Sequence, residues 1–232
     1  VSAGMNEKAD ILHRIVISCV SVLTSAGRLS PDTSYIPVAH RIGVALRQHL
    51  DDSVHTYRIP GLTTTRKGTL LAIYDARRQS SRDLQGDVDI GLSRSCDGGQ
   101  TWEPMKIALD MEEWGGLPEK FNGVSDACIL SDEVTGDILI AGLWMHGVLD
   151  RNGRWIEGLS DTSAAWEHQW RNKGSQPGFG VKETSRFLLT KSTDDGITWS
   201  EPVDITRQGK KKEWWLWAPA PGHGITLTDG TL

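Results

Sequence analysis

Ser95-Cys96-Asp97-Gly98-Gly99-Gln100-Thr101-Trp102 and Ser192-Thr193-Asp194-Asp195-Gly196-Ile197-Thr198-Trp199 share one frame, S-x-D-x-G-x-T-W. Each copy is followed by a Glu-Pro pair, Glu103-Pro104 directly and Glu201-Pro202 after one serine. The residue types suit a hairpin turn. Asp and Ser side chains can bond backbone N–H groups inside the turn, Gly takes φ > 0, and Trp packs beneath it. A hairpin-bearing unit that recurs along a chain predicts a propeller or another radial all-β repeat. Both turns are therefore assigned to building the fold. Ser95, Asp97, Gly99, Trp102, Ser192, Asp194, Gly196 and Trp199 receive structural roles and no part in chemistry.

Outward from the turns, short apolar runs alternate with Gly- or Asp-bearing turns from about Pro37 onward. Examples are Gly68–Tyr74, Val88–Leu92, Gly136–Ala141 and Arg186–Thr190. Strands of this length with turns between them predict an antiparallel all-β architecture. Helical periodicity is sustained only briefly, around Val44–Leu50. Residues 1–40 have a different character: Ile15, Ile17, Cys19 and Val22 fit one strand face, and Ala26–Ser34 carries Gly27, Pro31 and Asp32 as a linker. A domain boundary is placed there, with residues 1–36 apart from 37–232.

Composition narrows the function classes. Among 232 residues, 25 Lys+Arg stand against 30 Asp+Glu, a formal charge of −5. The only basic run is Lys210-Lys211-Lys212, so the clustered cationic surface that nucleic-acid binding needs is missing. No apolar stretch approaches the roughly 20 residues of a membrane helix. The three cysteines, Cys19, Cys96 and Cys128, are far apart and make neither a C-x-x-C pair nor a metal spacing. His146 and His168 are 22 residues apart in the sequence and suggest no metal site. No metal and no cofactor are expected. Ten tryptophans and 25 glycines fit a sugar-handling β chain with many tight turns.

The densest polar constellation precedes the first turn: Tyr57-Arg58-Ile59-Pro60, Asp75-Ala76-Arg77-Arg78 and Arg82-Asp83. Arg58 and Arg77 each sit at the edge of an apolar run, where two convergent guanidinium groups could grip a carboxylate. An arginine at a strand end is as readily a surface ion pair. Asp83 lies in a polar loop, a place for a solvent-reachable proton donor or for a salt bridge with Arg82. Asp126 could begin a turn before the strand Ala127–Leu130.

Taken in order, Tyr57-Arg58-Ile59-Pro60-Gly61-Leu62, Lys67–Ala72, Asp75-Ala76-Arg77 and the turn Ser95–Trp102 resemble the exo-α-sialidases (neuraminidases) of bacterial type. The resemblance runs from about Ala39 to the last residue. It implies a six-bladed β-propeller with a central active site, preceded by a β-rich accessory domain whose tail would be residues 1–36. It implies that Arg58 is one of three arginines gripping the sialic acid carboxylate and that Arg77 is a further pocket arginine. Asp83, six residues after Arg77, becomes the general acid/base, Asp126 a pocket aspartate and Trp144 an aromatic wall. Sialylated glycans are the implied partner, and a secreted, periplasmic or cell-surface location follows from the same likeness. The family's nucleophilic tyrosine, its activating glutamate and the other two triad arginines lie downstream of the matched segment. Tyr35, Tyr57 and Tyr74 do not occupy the nucleophile motif. Residues 37–232 are thus expected to be the N-terminal half of a propeller, with the alternatives of a non-catalytic sialoglycan-binding propeller or a structural repeat propeller. Ala218-Pro219-Ala220-Pro221 stands where relatives of this family carry a more polar stretch, a departure that leaves open a changed pocket floor or an altered specificity.

Overall fold

A computed structural model describes residues 45–163, 167–168 and 175–232, the pair 167–168 by backbone alone. The described residues from Leu46 onward form one compact unit. The expected strand over 15–22 and the boundary at 36/37 lie outside the described residues.

Strands β1 (Thr56–Thr64), β2 (Leu70–Arg77), β3 (Val88–Ser95) and β4 (Lys106–Leu109) follow one another as an antiparallel meander. A second meander is built from β5 (Val124–Ser131), β6 (Ile138–Trp144), β9 (Arg186–Ser192) and β10 (Val203–Asp204). The small pair β7 (Val148–Leu149) and β8 (Glu167–His168) stands between β6 and β9. A single helical turn, α1 (Thr206–Gly209), follows β10, and β11 (Gly222–His223) runs parallel to β5 at the sheet's far edge. The apolar runs of the sequence are these strands. Residues 45–50 form no helix; a 3-10 turn follows at Asp51–Ser53.

Alternation decides which faces are buried. Side chains of β5, β6 and β9 alternate between buried and half-buried positions for most of their length, as strands do with one face on the core. Strand β3 is buried throughout, as is β2 after its first residue, because each is covered on both faces. Leu71, Ile73, Ile90 and Leu92 from the first sheet meet Ile129, Ile138, Ile140 and Leu188 from the second, with Phe121 and Trp144 completing the core. Each such fully buried side chain contributes about 1.5–3 kcal/mol relative to exposure.

The two repeat turns occupy the same place in each sheet, between the third and fourth strands. In the first, Ser95 Oγ donates to Asp97 Oδ1 (2.8 Å) and accepts from Gly99 N (2.9 Å), while the Asp97 carboxylate takes the N–H groups of Gln100 and Thr101. The second repeats this bond for bond: Ser192 to Asp194 at 2.8 Å, Gly196 N to Ser192 at 2.9 Å, and Ile197 and Thr198 N–H to Asp194. The Thr101 hydroxyl (2.6 Å) first, and then these donors, hold the Asp97 carboxyl down at about 2, and Asp194 is lowered in the same way, first by the Thr198 hydroxyl. Left-handed backbone falls at Gly98 and Gly99 in one turn and at Asp195 and Gly196 in the other.

A second repetition is absent from the motif pattern. In β1, Arg58 pairs with Asp75 and Gly61 with Ile73, so one extra residue bulges between them. In β5, Ser125 pairs with Leu143 and Cys128 with Ala141, the same bulge. The first residue of each bulge has positive φ: Ile59 at 54° and Asp126 at 55°. Bulges of this kind bend a strand and re-aim its side chains, and they concentrate beside functional sites.

Candidate functional site

The end of β2, the loop that follows it and the bulge of β5 carry the polar cluster. Asp75 and Arg77, two residues apart on β2, are both buried. The Arg77 guanidinium donates to Asp75 Oδ2 through Nε (3.2 Å) and Nη2 (2.9 Å), and through Nη1 to the Ser81 carbonyl (3.0 Å). Nη2 also faces Asp83 Oδ1 at 3.4 Å. From the neighbouring sheet, the Ser125 hydroxyl donates to Asp75 Oδ2 at 2.6 Å. A guanidinium with its fork filled by a carboxylate and a carbonyl is fixed in direction.

Asp83 itself is 47% exposed at the side chain and accepts the Leu84 N–H at 2.8 Å. Its loop is pinned from below. Leu84 is buried against Leu143, Met145 and Ala218, while Gln85, wholly buried, donates to the Gly123 carbonyl (3.2 Å). Close approach is needed here, because a Cβ on Gly123 would stand 2.2 Å from the Gly86 carbonyl oxygen. Asp126 is raised above the usual carboxylate range by burial first and by the charge of Asp83 second, with Arg77 opposing. Asp75 is pushed up to about 6 by burial, against the pull of Ser125 and Arg77. Arg77 thus pairs with two carboxylates and acts on a third, Asp126, through its charge; Asp75 is buried, Asp126 half-buried and Asp83 exposed.

Arg58 stands on β1 directly across from Asp75 in register, with its side chain exposed. Among the described residues it forms no ion pair. Arg78, beside Arg77, turns away from the cluster and pairs with the buried Asp89 at 2.5 Å.

Trp144 departs from expectation. It is fully buried, its Nε1 donates to Asn122 Oδ1, and its ring meets Trp114 edge-on at 4.6 Å. It has no face to offer a sugar, because the apolar run Ile138–Trp144 carries it into the core. The residue that sequence reasoning missed is Asn122. Its Nδ2 donates to the carbonyls of Glu112 (2.7 Å) and Trp114 (3.2 Å), and its Oδ1 receives Trp144 and, at 3.5 Å, Gln85. Only the short spacing Asn122-Gly123 before a strand hinted at a constrained position. Ala218, from the Ala218–Pro221 stretch, packs against Leu84, Leu143 and Met145.

The segment that follows β6 is anchored to the core at several points of its described part. Val148 and Leu149 are fully buried, Ile156 and Leu159 lie on the core, and Lys120 ties the segment down through the carbonyls of Asp161 (2.8 Å) and Ser163. Trp166 and Trp170 lie outside the described residues. Trp214, Trp215 and Trp217 belong to no strand; Trp217 packs on Phe187 at 4.4 Å, and Trp215 is exposed. No helix among the described residues is long and apolar enough to cross a membrane. No group of three or more His, Cys, Asp or Glu among them could hold a metal ion.

Residues 59–232 match the model of the BNR repeat-like domain. The chain is 45% identical to a sialidase of Bacteroides fragilis along its full length, which is 40% of that protein. It is 27% identical to an exo-alpha-sialidase of Aspergillus fumigatus, over 77% of this chain and 40% of that one. The chain therefore spans about two fifths of the curated relatives it matches. Among solved structures, the Hadza microbial sialidase Hz136 shares 44% identity with a TM-score of 0.65, over 78% of this chain and 32% of that one. An intramolecular trans-sialidase from Ruminococcus gnavus, at 15% identity, shares the fold with a TM-score of 0.56, over 77% of this chain and 54% of that one. With the repeat turns and the family match in agreement, the chain belongs to the BNR repeat-like family, and its relatives are named sialidases.

Proposed function

We propose that this chain supplies the proton donor and part of the carboxylate grip of a retaining exo-α-sialidase that removes terminal sialic acid from glycoproteins, glycolipids or oligosaccharides. One observation carries the reading: a half-exposed carboxylate, Asp83, rests against a buried, oriented guanidinium, Arg77, with a second carboxylate, Asp126, close enough to act on both. In this reading the two meanders are the first two blades of a six-bladed propeller. Arg58, exposed across the strand from Asp75, takes the sugar's carboxylate together with arginines from outside this chain.

Sialic acid bears an anionic carboxylate on its anomeric carbon. Protonated Asp83 gives its proton to the glycosidic oxygen as the C–O bond breaks, and the bonding pair leaves with the aglycone. The Asp83 carboxylate then takes a proton from the incoming water. Sialidases use a tyrosine nucleophile in place of a carboxylate. Neither described tyrosine suits that role. Burial and the charge of Asp52 push Tyr57 up to about 12, and Tyr74 is buried with its hydroxyl bonded to Ser93 at 2.7 Å. The reading therefore places the nucleophile on neither Tyr57 nor Tyr74.

The full-length protein is expected to release free sialic acid from an α-sialoside. Arg58→Ala should raise KM by about tenfold to a hundredfold, the usual size of a lost charge-assisted contact. Binding of sialyl oligosaccharide without any release would favour a non-catalytic glycan-binding propeller instead.

A further inference from the structure

Asp75 is wholly buried and cannot touch a substrate, yet it lies at the centre of the cluster. Its Oδ2 accepts three hydrogen bonds, two from Arg77 and one from Ser125 of the neighbouring sheet. Its Oδ1 is buried without a hydrogen-bond partner. A half-bonded buried carboxylate is a costly arrangement that a Leu or Ala would avoid. What it provides is a negative charge on the inner side of Arg77, while Asp83 meets the same Nη2 on the outer side.

We propose that Asp75 is a positioning residue for the proton donor: held by Ser125, it fixes the direction of the Arg77 guanidinium, and that guanidinium holds the Asp83 carboxyl toward the leaving oxygen. The proposal rests on Asp83 being the general acid. A guanidinium with no bidentate partner behind it is free to turn, and the carboxyl resting on its Nη2 loses its direction with it.

The test is kcat and KM, measured separately, for full-length wild-type, Asp75→Asn and Ser125→Ala proteins, each on an alkyl α-sialoside and on an aryl α-sialoside whose leaving group needs no proton. Asp75→Asn keeps the shape and weakens the bidentate hold on Arg77. On the alkyl substrate its kcat is expected to fall about tenfold with KM little changed, as for a proton donor out of place. The aryl substrate should change far less. Ser125→Ala removes a bond that fixes the Asp75 carboxyl, so it should lower the alkyl kcat in the same way by a smaller amount, and it decides the matter if Asp75→Asn does not fold. An unchanged alkyl kcat, or an equal loss on both substrates, would show that Asp75 is only structural and overturn the proposal. Failure of the underlying reading looks different: no release by wild type, or an Asp83→Ala protein as active as wild type on the alkyl substrate.

Discussion

Ile59 and Asp126 show how much single residues here are set by their neighbours. Both open a bulge with φ near 55°. For Asp this is a tolerated conformation, but for a β-branched residue it costs about 1–2 kcal/mol. The position before Pro60 should moreover steer Ile59 to extended backbone. No local rule in the sequence predicts the left-handed turn; the pairing of Arg58 with Asp75 on one side and Gly61 with Ile73 on the other imposes it. Trp144 was misread for the opposite reason, since an aromatic at a strand end looks the same whether it faces sugar or the core. His146, next but one, offers a test at this scale. It is buried against Trp155 at 5.2 Å, and burial lowers it to about 4. The unfolded chain takes up this proton near 6.5. As pH falls from 6.5 to 4 the unfolded state is therefore protonated first, and stability present above 6.5 is progressively lost. His146→Phe should remove that loss: the wild-type minus variant difference in unfolding free energy should change by up to about 3 kcal/mol between pH 7 and pH 4. A difference that stays constant with pH would show that His146 does not titrate this way.

Elements were the most legible level. Apolar runs bounded by Gly and Asp located β2, β3, β6 and β9, because strands with a buried face must place apolar residues there whatever lies around them. The two S-x-D-x-G-x-T-W turns were legible because the bonds made by the residues of the shared frame are internal. What the frame could not tell is that the second turn also binds the other sheet. Asp195, where the first turn has Gly98, accepts the hydroxyls of Thr65 and Thr69 at 2.6 Å each and faces Arg94 at 3.4 Å. Those bonds hold its carboxyl below the usual range despite burial. They join residues 126 to 130 positions apart, which no periodicity reveals. Asp195→Gly should relieve the positive φ yet lower stability by about 1–3 kcal/mol, while Asp195→Asn, which tolerates the same backbone and keeps one acceptor, should lose less. Denaturant midpoints of the three proteins decide this, and an Asp195→Gly midpoint at or above wild type would show that the contact between sheets contributes nothing.

At the scale of the molecule, the site lies where two sheets meet: Asp75, Arg77 and Asp83 belong to one, Ser125 and Asp126 to the other. The sequence could order these residues by motif, but the shared cation and the inward carboxylate depend on packing between segments about 50 positions apart. That packing buries Asp75 and leaves Asp83 exposed, two residues that look alike in the sequence. The central claim is that Asp83 donates the proton, and leaving-group dependence tests it most directly. With full-length Asp83→Ala, kcat/KM on a sialyl oligosaccharide should fall by about 10²–10⁴, the usual worth of general acid catalysis. On an aryl α-sialoside with a strongly activated leaving group, activity should stay within about tenfold of wild type. Equal losses on both substrates, or no loss on the oligosaccharide, would contradict the account.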